Sequence, residues 1–153
     1  MKKVLILLFI ATTLPVKAQF ALKGGVIYSE KEITNFAVTG QFYKDLLAIS
    51  GDVFIPTQKS QKISGDGRIG LNLGTYRFRI IGDIGAMYEN DIWRCAGGVE
   101  ANVRLFGPIG MFGRWQRSFP ITTDDEHTKI RWCQGRSDLS IGITIDLGNG
   151  RCY

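Results

Sequence analysis

The sequence predicts an all-β chain: eight antiparallel strands closed up-and-down into one barrel, behind a cleavable export segment. Three observations carry that expectation. Apolar and polar side chains alternate with a period of two from residue 20 onward, the alternating runs are long, and tight joins alternate with longer polar ones. Successive side chains of a strand point to opposite faces, so a sustained period of two is a strand signature. A length of 153 residues suits one domain. With 44% hydrophobic and 22% charged residues, the composition is that of a folded chain. Glycine, at 19 residues, is the outlier.

The chain opens Met1-Lys2-Lys3, runs uncharged from Val4 to Leu14 and reaches Pro15-Val16-Lys17-Ala18. A basic start, a short apolar run and a Val-x-Ala ending are the marks of a secretory signal peptide cut after Ala18. The run is too short to span a bilayer, which takes about 20 apolar residues. Residues 1–18 are therefore expected to direct export, and 19–153 to form a single barrel domain. The formal charge is +5 from 19 basic and 14 acidic residues; losing Lys2, Lys3 and Lys17, and no acid, leaves +2. No basic cluster remains to suggest a nucleic-acid partner.

The predicted strands follow in order. Phe20 to Tyr28 sets Phe20, Leu22, Gly24, Val26 and Tyr28 against Lys23. Phe36 to Lys44 sets Phe36, Val38, Gly40 and Phe42 against Thr39, Gln41 and Tyr43. Leu47 to Ile55 sets Leu47, Ile49, Val53 and Ile55 against Ala48, Ser50 and Asp52. Lys62 to Leu73 sets Ile63, Ile69, Leu71 and Leu73 against Ser64, Asp66 and Arg68. Tyr76 to Glu89 sets Phe78, Ile80, Ile84 and Tyr88 against Arg77, Arg79, Asp83 and Glu89, with Ile81 and Met87 on that polar side. Trp93 to Leu105 sets Trp93, Val99, Val103 and Leu105 against Arg94, Glu100 and Arg104. Ile109 to Phe119 opposes Met111 and Trp115 to Arg114 and Gln116. Ser137 to Leu147 opposes Leu139, Ile141, Ile143 and Ile145 to Asp138, Ser140, Thr144 and Asp146.

The joins at 44–46, 74–75 and 106–108 are tight; those at 29–35, 56–61 and 120–136 are long and polar, and Asn90-Asp91 is short but polar. Runs of about 9–11 residues suit tilted strands that cross a membrane, where soluble strands average about 5–6. Short turns on one side and longer loops on the other are the habit of transmembrane barrels, which carry their apolar face outward. The polar faces hold Lys23, Arg68, Arg77, Arg79, Arg94, Arg104 and Arg114 against Asp52, Asp66, Asp83, Glu89, Glu100, Asp138 and Asp146. A nearly neutral, Arg-rich face suits a packed lumen of ion pairs, because guanidinium pairs carboxylates with two parallel hydrogen bonds. Arg68, Arg77, Arg79, Asp83, Arg94, Glu100, Arg104 and Arg114 are the expected lumen network. Aromatics near the strand ends (Phe20, Tyr28, Tyr76, Tyr88, Trp93, Phe106) fit interfacial girdles. Eight strands enclose room for side chains or one small ligand, so no open diffusion pore is expected. Gly24, Gly40, Gly51, Gly65, Gly67, Gly82, Gly97 and Gly113 are placed on the lipid side, where curvature tolerates them.

With its signal peptide, eight alternating segments, alternating joins and terminal Tyr153, the chain resembles the small outer-membrane barrels of Gram-negative bacteria, of the OmpX-, OmpA- and Bacteroidota type. Gly148 to Cys152 separate Tyr153 from the last strand, a departure from the strand-terminal aromatic of that group. Gly97-Gly98-Val99-Glu100 and Arg114-Trp115-Gln116-Arg117 are more weakly similar to TraO-type proteins of Bacteroides conjugative elements. The resemblance implies the outer membrane as location and the lipid bilayer as partner. It implies roles from surface contact and envelope integrity to a part of a transfer assembly. A secreted soluble barrel holding a small apolar ligand, as lipocalins do, is the competing reading.

The last long loop, with Asp124, Asp125, Glu126, His127, Arg131 and Trp132, is the candidate contact surface, since long charged loops carry function disproportionately. His127 is the only histidine, and its acidic neighbours match no EF-hand or zinc spacing, so no metal site is expected. No nucleophile pairs with it and no glycine pair opens a helix, so neither an enzyme nor a cofactor is expected. Of Cys95, Cys133 and Cys152, the last two are separated by a strand of roughly 30 Å. That exceeds disulfide reach; Cys95–Cys133 and three free thiols stay open.

Overall fold

The computed structural model describes residues 19–29, 32–58, 61–75, 77–124 and 127–147; the expected signal peptide, Tyr76, Asp125, Glu126, Cys152 and Tyr153 lie outside them. The strands are β1 (Gln19–Ser29), β2 (Glu32–Lys44), β3 (Leu47–Pro56), β4 (Ser64–Gly74), β5 (Phe78–Glu89), β6 (Ile92–Phe106), β7 (Ile109–Asp124), β8 (His127–Ile130) and β9 (Arg136–Asp146). Each of β1 to β7 pairs antiparallel with the next. β9 lies between β7 and β1 and closes the ring. The fold is thus a closed eight-stranded antiparallel barrel, with β8 outside the ring. Closure leaves no barrel strand with an open edge.

The faces sort as the alternation demands. Leu22, Phe36, Val38, Ile49, Ile69, Leu71, Ile84, Val99, Trp115 and Ile143 are exposed on the outer wall, while Lys23, Asp52, Arg68, Asp83, Glu100 and Arg114 are buried in the lumen. Two small apolar clusters also face inward. Ala21, Tyr43, Ala48 and Ile81 form one toward the end that carries the β2–β3 turn, here called the lower end. Ile27, Ala37, Phe54 and Met87 form the other toward the opposite, upper end. Ile81 and Met87, the two apolar residues on the polar side of their run, are what these plugs are built around. The charged layer is sandwiched between them and cut off from bulk water.

The joins depart from simple alternation. β1 and β2 are paired out to Ser29 and Glu32, so the first join is a two-residue hairpin and not a long loop. The β-branched Ile33 and Thr34 continue the strand where polarity alone suggested a loop. Asn90 and Asp91 both have positive φ, 49° and 64°, between the paired Glu89 and Ile92. That is a two-residue hairpin of the type whose two central residues are both left-handed, a conformation Asn and Asp tolerate. The last loop is also ordered. β7 runs on to Asp124 and pairs with β8, Ile121 facing Ile130 and Asp124 facing His127. A 3₁₀ turn over Trp132–Gln134 leads back to β9.

Glycine is required on the inner wall and, apart from Gly65, whose Cβ would lie 2.9 Å from the Asp52 carbonyl oxygen, tolerated on the outer one. A Cβ at outward Gly24, Gly67, Gly82 or Gly113 would meet nothing within 4 Å. A Cβ at inward Gly142 would sit 2.1 Å from the Gly24 carbonyl oxygen and 2.8 Å from the Phe112 ring. The backbone there is bent so sharply that neighbouring strands occupy the side-chain position, which is how a narrow barrel obtains its curvature. The outward-glycine expectation is therefore half the account: most of the sterically obligatory glycines face the lumen. Gly142→Ala is expected to cost about 1–3 kcal/mol by overpacking, whereas Gly67→Ala should stay within about 0.5 kcal/mol. Urea titration of the refolded barrel in detergent, followed by tryptophan fluorescence, checks both; equal effects would refute the distinction.

Candidate functional site

At mid-height β3, β4 and β5 bring Asp52, Asp66, Arg68 and Asp83 together, and Arg114 reaches in from β7. Asp52 and Asp66 are direct rung partners. Like charges opposite one another on a sheet repel, and Arg68 resolves the conflict. It bonds Asp52, lies 3.1 Å from Asp66 through Nε and 3.2 Å from Asp83 through Nη1. Arg114 bonds Asp83 at 2.9 Å and lies 3.4 Å from Asp52, spanning the ring from β7 to β3. A second cross-brace joins Lys23 of β1 to Glu100 of β6, and Asn102 donates to the same Glu100 oxygen at 2.6 Å. The Lys23 ammonium also lies 5.2 Å from the Phe112 ring centroid, close enough for cation–π attraction.

Toward the lower end, Asp146 sits between Arg79 at 3.8 Å and Arg104 at 3.6 Å. Arg79 also donates to Gln19 and stacks 4.6 Å from the Tyr43 ring centroid. Toward the upper end Arg136 bridges Glu89 at 2.8 Å and Asp138 at 3.0 Å. Arg94 donates to the Ser118 hydroxyl and to the Ser118 and Gln134 carbonyls, tying the wall to the 3₁₀ turn.

The eight lumen candidates divide accordingly. Arg68, Arg79, Asp83, Glu100, Arg104 and Arg114 join carboxylate–cation contacts inside the ring, and Arg94 binds hydroxyl and carbonyl groups at the rim. Arg77 stands just before β5 in the β4–β5 turn, where it is exposed, and it lines the small cavity at the lower mouth with Arg79, Arg104 and Asp146. Lys23, Asp52, Asp66, Arg136 and Asp146 belong with the network and lie outside the eight. Arg136 fell inside the predicted loop, although it stands two residues before inward Asp138, on the same side of a strand. Of the loop candidates, Asp124 and His127 are partners at the hairpin tip, Asp125 and Glu126 are outside the described residues, and Arg131 and Trp132 are exposed.

The outer rim has its own geometry. Tyr88 and Trp93 pack with ring centroids 5.1 Å apart, and Phe119 meets Trp132 edge-on at 4.8 Å. Lys62 bridges Asp91 at 2.5 Å, and the Tyr88 hydroxyl donates to Asp91 at 3.2 Å. These two partners hold the Asp91 carboxyl below the usual carboxylate range, and Asp91 holds the Lys62 ammonium above its own. A depressed carboxyl contributes where it is ionised, so this bridge persists at neutral pH and is lost only as pH falls through the lowered value. Cys95 is a free thiol on the outer wall.

No family model matches the chain, and no curated protein is similar to it. Among solved structures it is similar to a barrel from the de novo design of transmembrane β-barrels, at 12% identity and a TM-score of 0.61, over 84% of this chain and 95% of that one. It is also similar to Neisserial surface protein A, at 10% identity and a TM-score of 0.42, over 84% and 94%. The fold is that of the small transmembrane β-barrels, here with a charge-filled lumen.

Removing one member of a buried pair leaves an uncompensated charge and costs about 3–5 kcal/mol, whereas replacing both members is often near neutral. Lys23→Met and Glu100→Gln are each expected to lose that much, and the double variant to recover most of it. A double-mutant cycle in detergent measures this; additive losses would show that the two groups do not brace each other.

Proposed function

We propose that the chain is an exported outer-membrane barrel whose work is structural or interactive, and not enzymatic. It makes surface contacts, supports envelope integrity or serves as the membrane part of a larger assembly. The observation that carries this reading is the inverted polarity: apolar side chains cover the outside of the ring, and ion pairs fill the inside. An apolar wall facing water is unfavourable at roughly 25 cal/mol per Å²; facing acyl chains, the same wall is at rest. The lumen side supports the same reading. At the lower end, the cavity among Tyr43, Arg79, Asn102, Arg104, Thr144 and Asp146 measures about 10 Å³. Such a space has room for about one water molecule. The signal-peptide pattern of residues 1–18 supports export, and the β7–β8 hairpin with Arg131 and Trp132 is the contact surface in this reading. A transfer-machinery role rests on the weaker TraO-type similarity alone.

Envelope fractionation followed by electrophoresis of unboiled and boiled samples tests the proposal. Recovery with the outer membrane and a heat-dependent mobility shift are expected. A soluble periplasmic protein without a shift would overturn it.

A further inference from the structure

The outer wall is apolar except in one sector. Arg117 faces outward from β7, exposed between Trp115 and Phe119. A cation on the lipid face of a barrel strand is costly near the midplane and nearly free at the interface, so its placement requires an account. Its rung partner on β9 is Ser137, yet its Nε would lie 3.2 Å from a Cβ at Gly135, two residues nearer the upper rim. The side chain therefore climbs the wall toward the rim, as long cationic side chains do at bilayer edges. On the way its guanidinium lies 5.3 Å from the Phe119 ring centroid. Phe119 in turn packs against Trp132.

Above this aromatic pair, Arg131 is exposed beside Trp132. Arg131 lines a groove of about 560 Å³ with Ile92, Trp93, Pro120, Ile121 and Gln134. Asp91, the acid on that groove, is already neutralised by Lys62. Among the described residues no carboxylate pairs with Arg117 or Arg131. Two guanidinium groups with no carboxylate partner among the described residues thus flank an aromatic step where the apolar wall meets the rim. Guanidinium matches phosphate with paired hydrogen bonds, and the apolar wall continues directly below for acyl chains.

We propose that this sector, from Arg117 past Phe119 and Trp132 to Arg131 and its groove, binds the headgroup of a phosphate-bearing anionic lipid. This site rests on the bilayer reading above and adds a ligand class to it.

The test uses the full chain in a Trp115→Phe background, so that Trp93 and Trp132 report on the rim. The protein is reconstituted in phosphatidylcholine containing equal mole fractions of either brominated phosphatidylglycerol or brominated phosphatidylcholine. Bromine quenches adjacent tryptophan, and the mixtures give a relative binding constant. Preference for phosphatidylglycerol is expected, at roughly fivefold for each arginine near the surface. It should vanish in Arg117→Gln/Arg131→Gln and return in Arg117→Lys/Arg131→Lys. The heat-dependent mobility shift reports folding; if the double variant does not fold, Arg131→Gln alone, on the exposed rim, must still lower the preference. Equal quenching by the two lipids, or a preference that survives the glutamine variants, overturns the site and leaves the barrel in its bilayer. Quenching by neither lipid overturns the bilayer reading and the site together.

Discussion

Everything in this barrel follows from where its charges are allowed to be. With the outer wall given to Leu, Ile, Val and aromatic side chains, the ionised groups at mid-height of the strands occupy the lumen. An unpaired charge there has neither water nor lipid headgroup to answer it. Arg68 and Arg114 meet that constraint by each serving more than one carboxylate. Lys23 meets it by reaching across the ring to Glu100. Such pairs are weak sources of net stability, because desolvation offsets much of their attraction. Their effect here is on geometry: Arg114 and Lys23 tie together strands that are not neighbours, so the cross-section is set by side-chain reach as well as by backbone pairing.

The same narrow cross-section explains the glycines and the plugs. Guanidinium and carboxylate side chains from several strands fill the middle, and the backbone must bend around them. Gly142 and Gly25 face each other across β9 and β1, with the Phe112 ring against both positions. The large side chain and the missing ones are complementary parts of one packing solution. Above and below, the apolar clusters shield the charges from water, which strengthens every ion pair between them.

The fold was legible because period-two alternation records the two faces of a strand without ambiguity, as at Leu139, Ile141, Ile143 and Ile145. The lumen network was legible to the extent that its members lay within such runs. Arg77 and Arg136 mark the limit. Each stands at a strand end, on the inward side by alternation, where the extent of the strand decides whether a side chain enters the ring. The first join looked like a loop because Glu32 and Asn35 are polar, yet inward positions of this barrel are polar by rule, and Asn35 is one of them. The β7–β8 hairpin had a signal in the sequence: Ile121-Thr122-Thr123 and Thr128-Lys129-Ile130 are β-branched runs placed symmetrically about an acidic tip. The inward glycines had none, since the clash that demands them involves atoms of other strands.

The Lys23–Glu100 brace bears on how such a ring comes into being. β1 and β6 lie far apart in sequence, so the pair cannot form until the sheet has curled most of the way round. On the bilayer reading proposed above, the polar face of the open sheet rests against water before that moment and its apolar face against lipid, and both are satisfied. The final step, in which the first and last strands meet, is then also the step at which water leaves the charges. Insertion and desolvation become a single late event, guarded by residues that only match when every strand is in register.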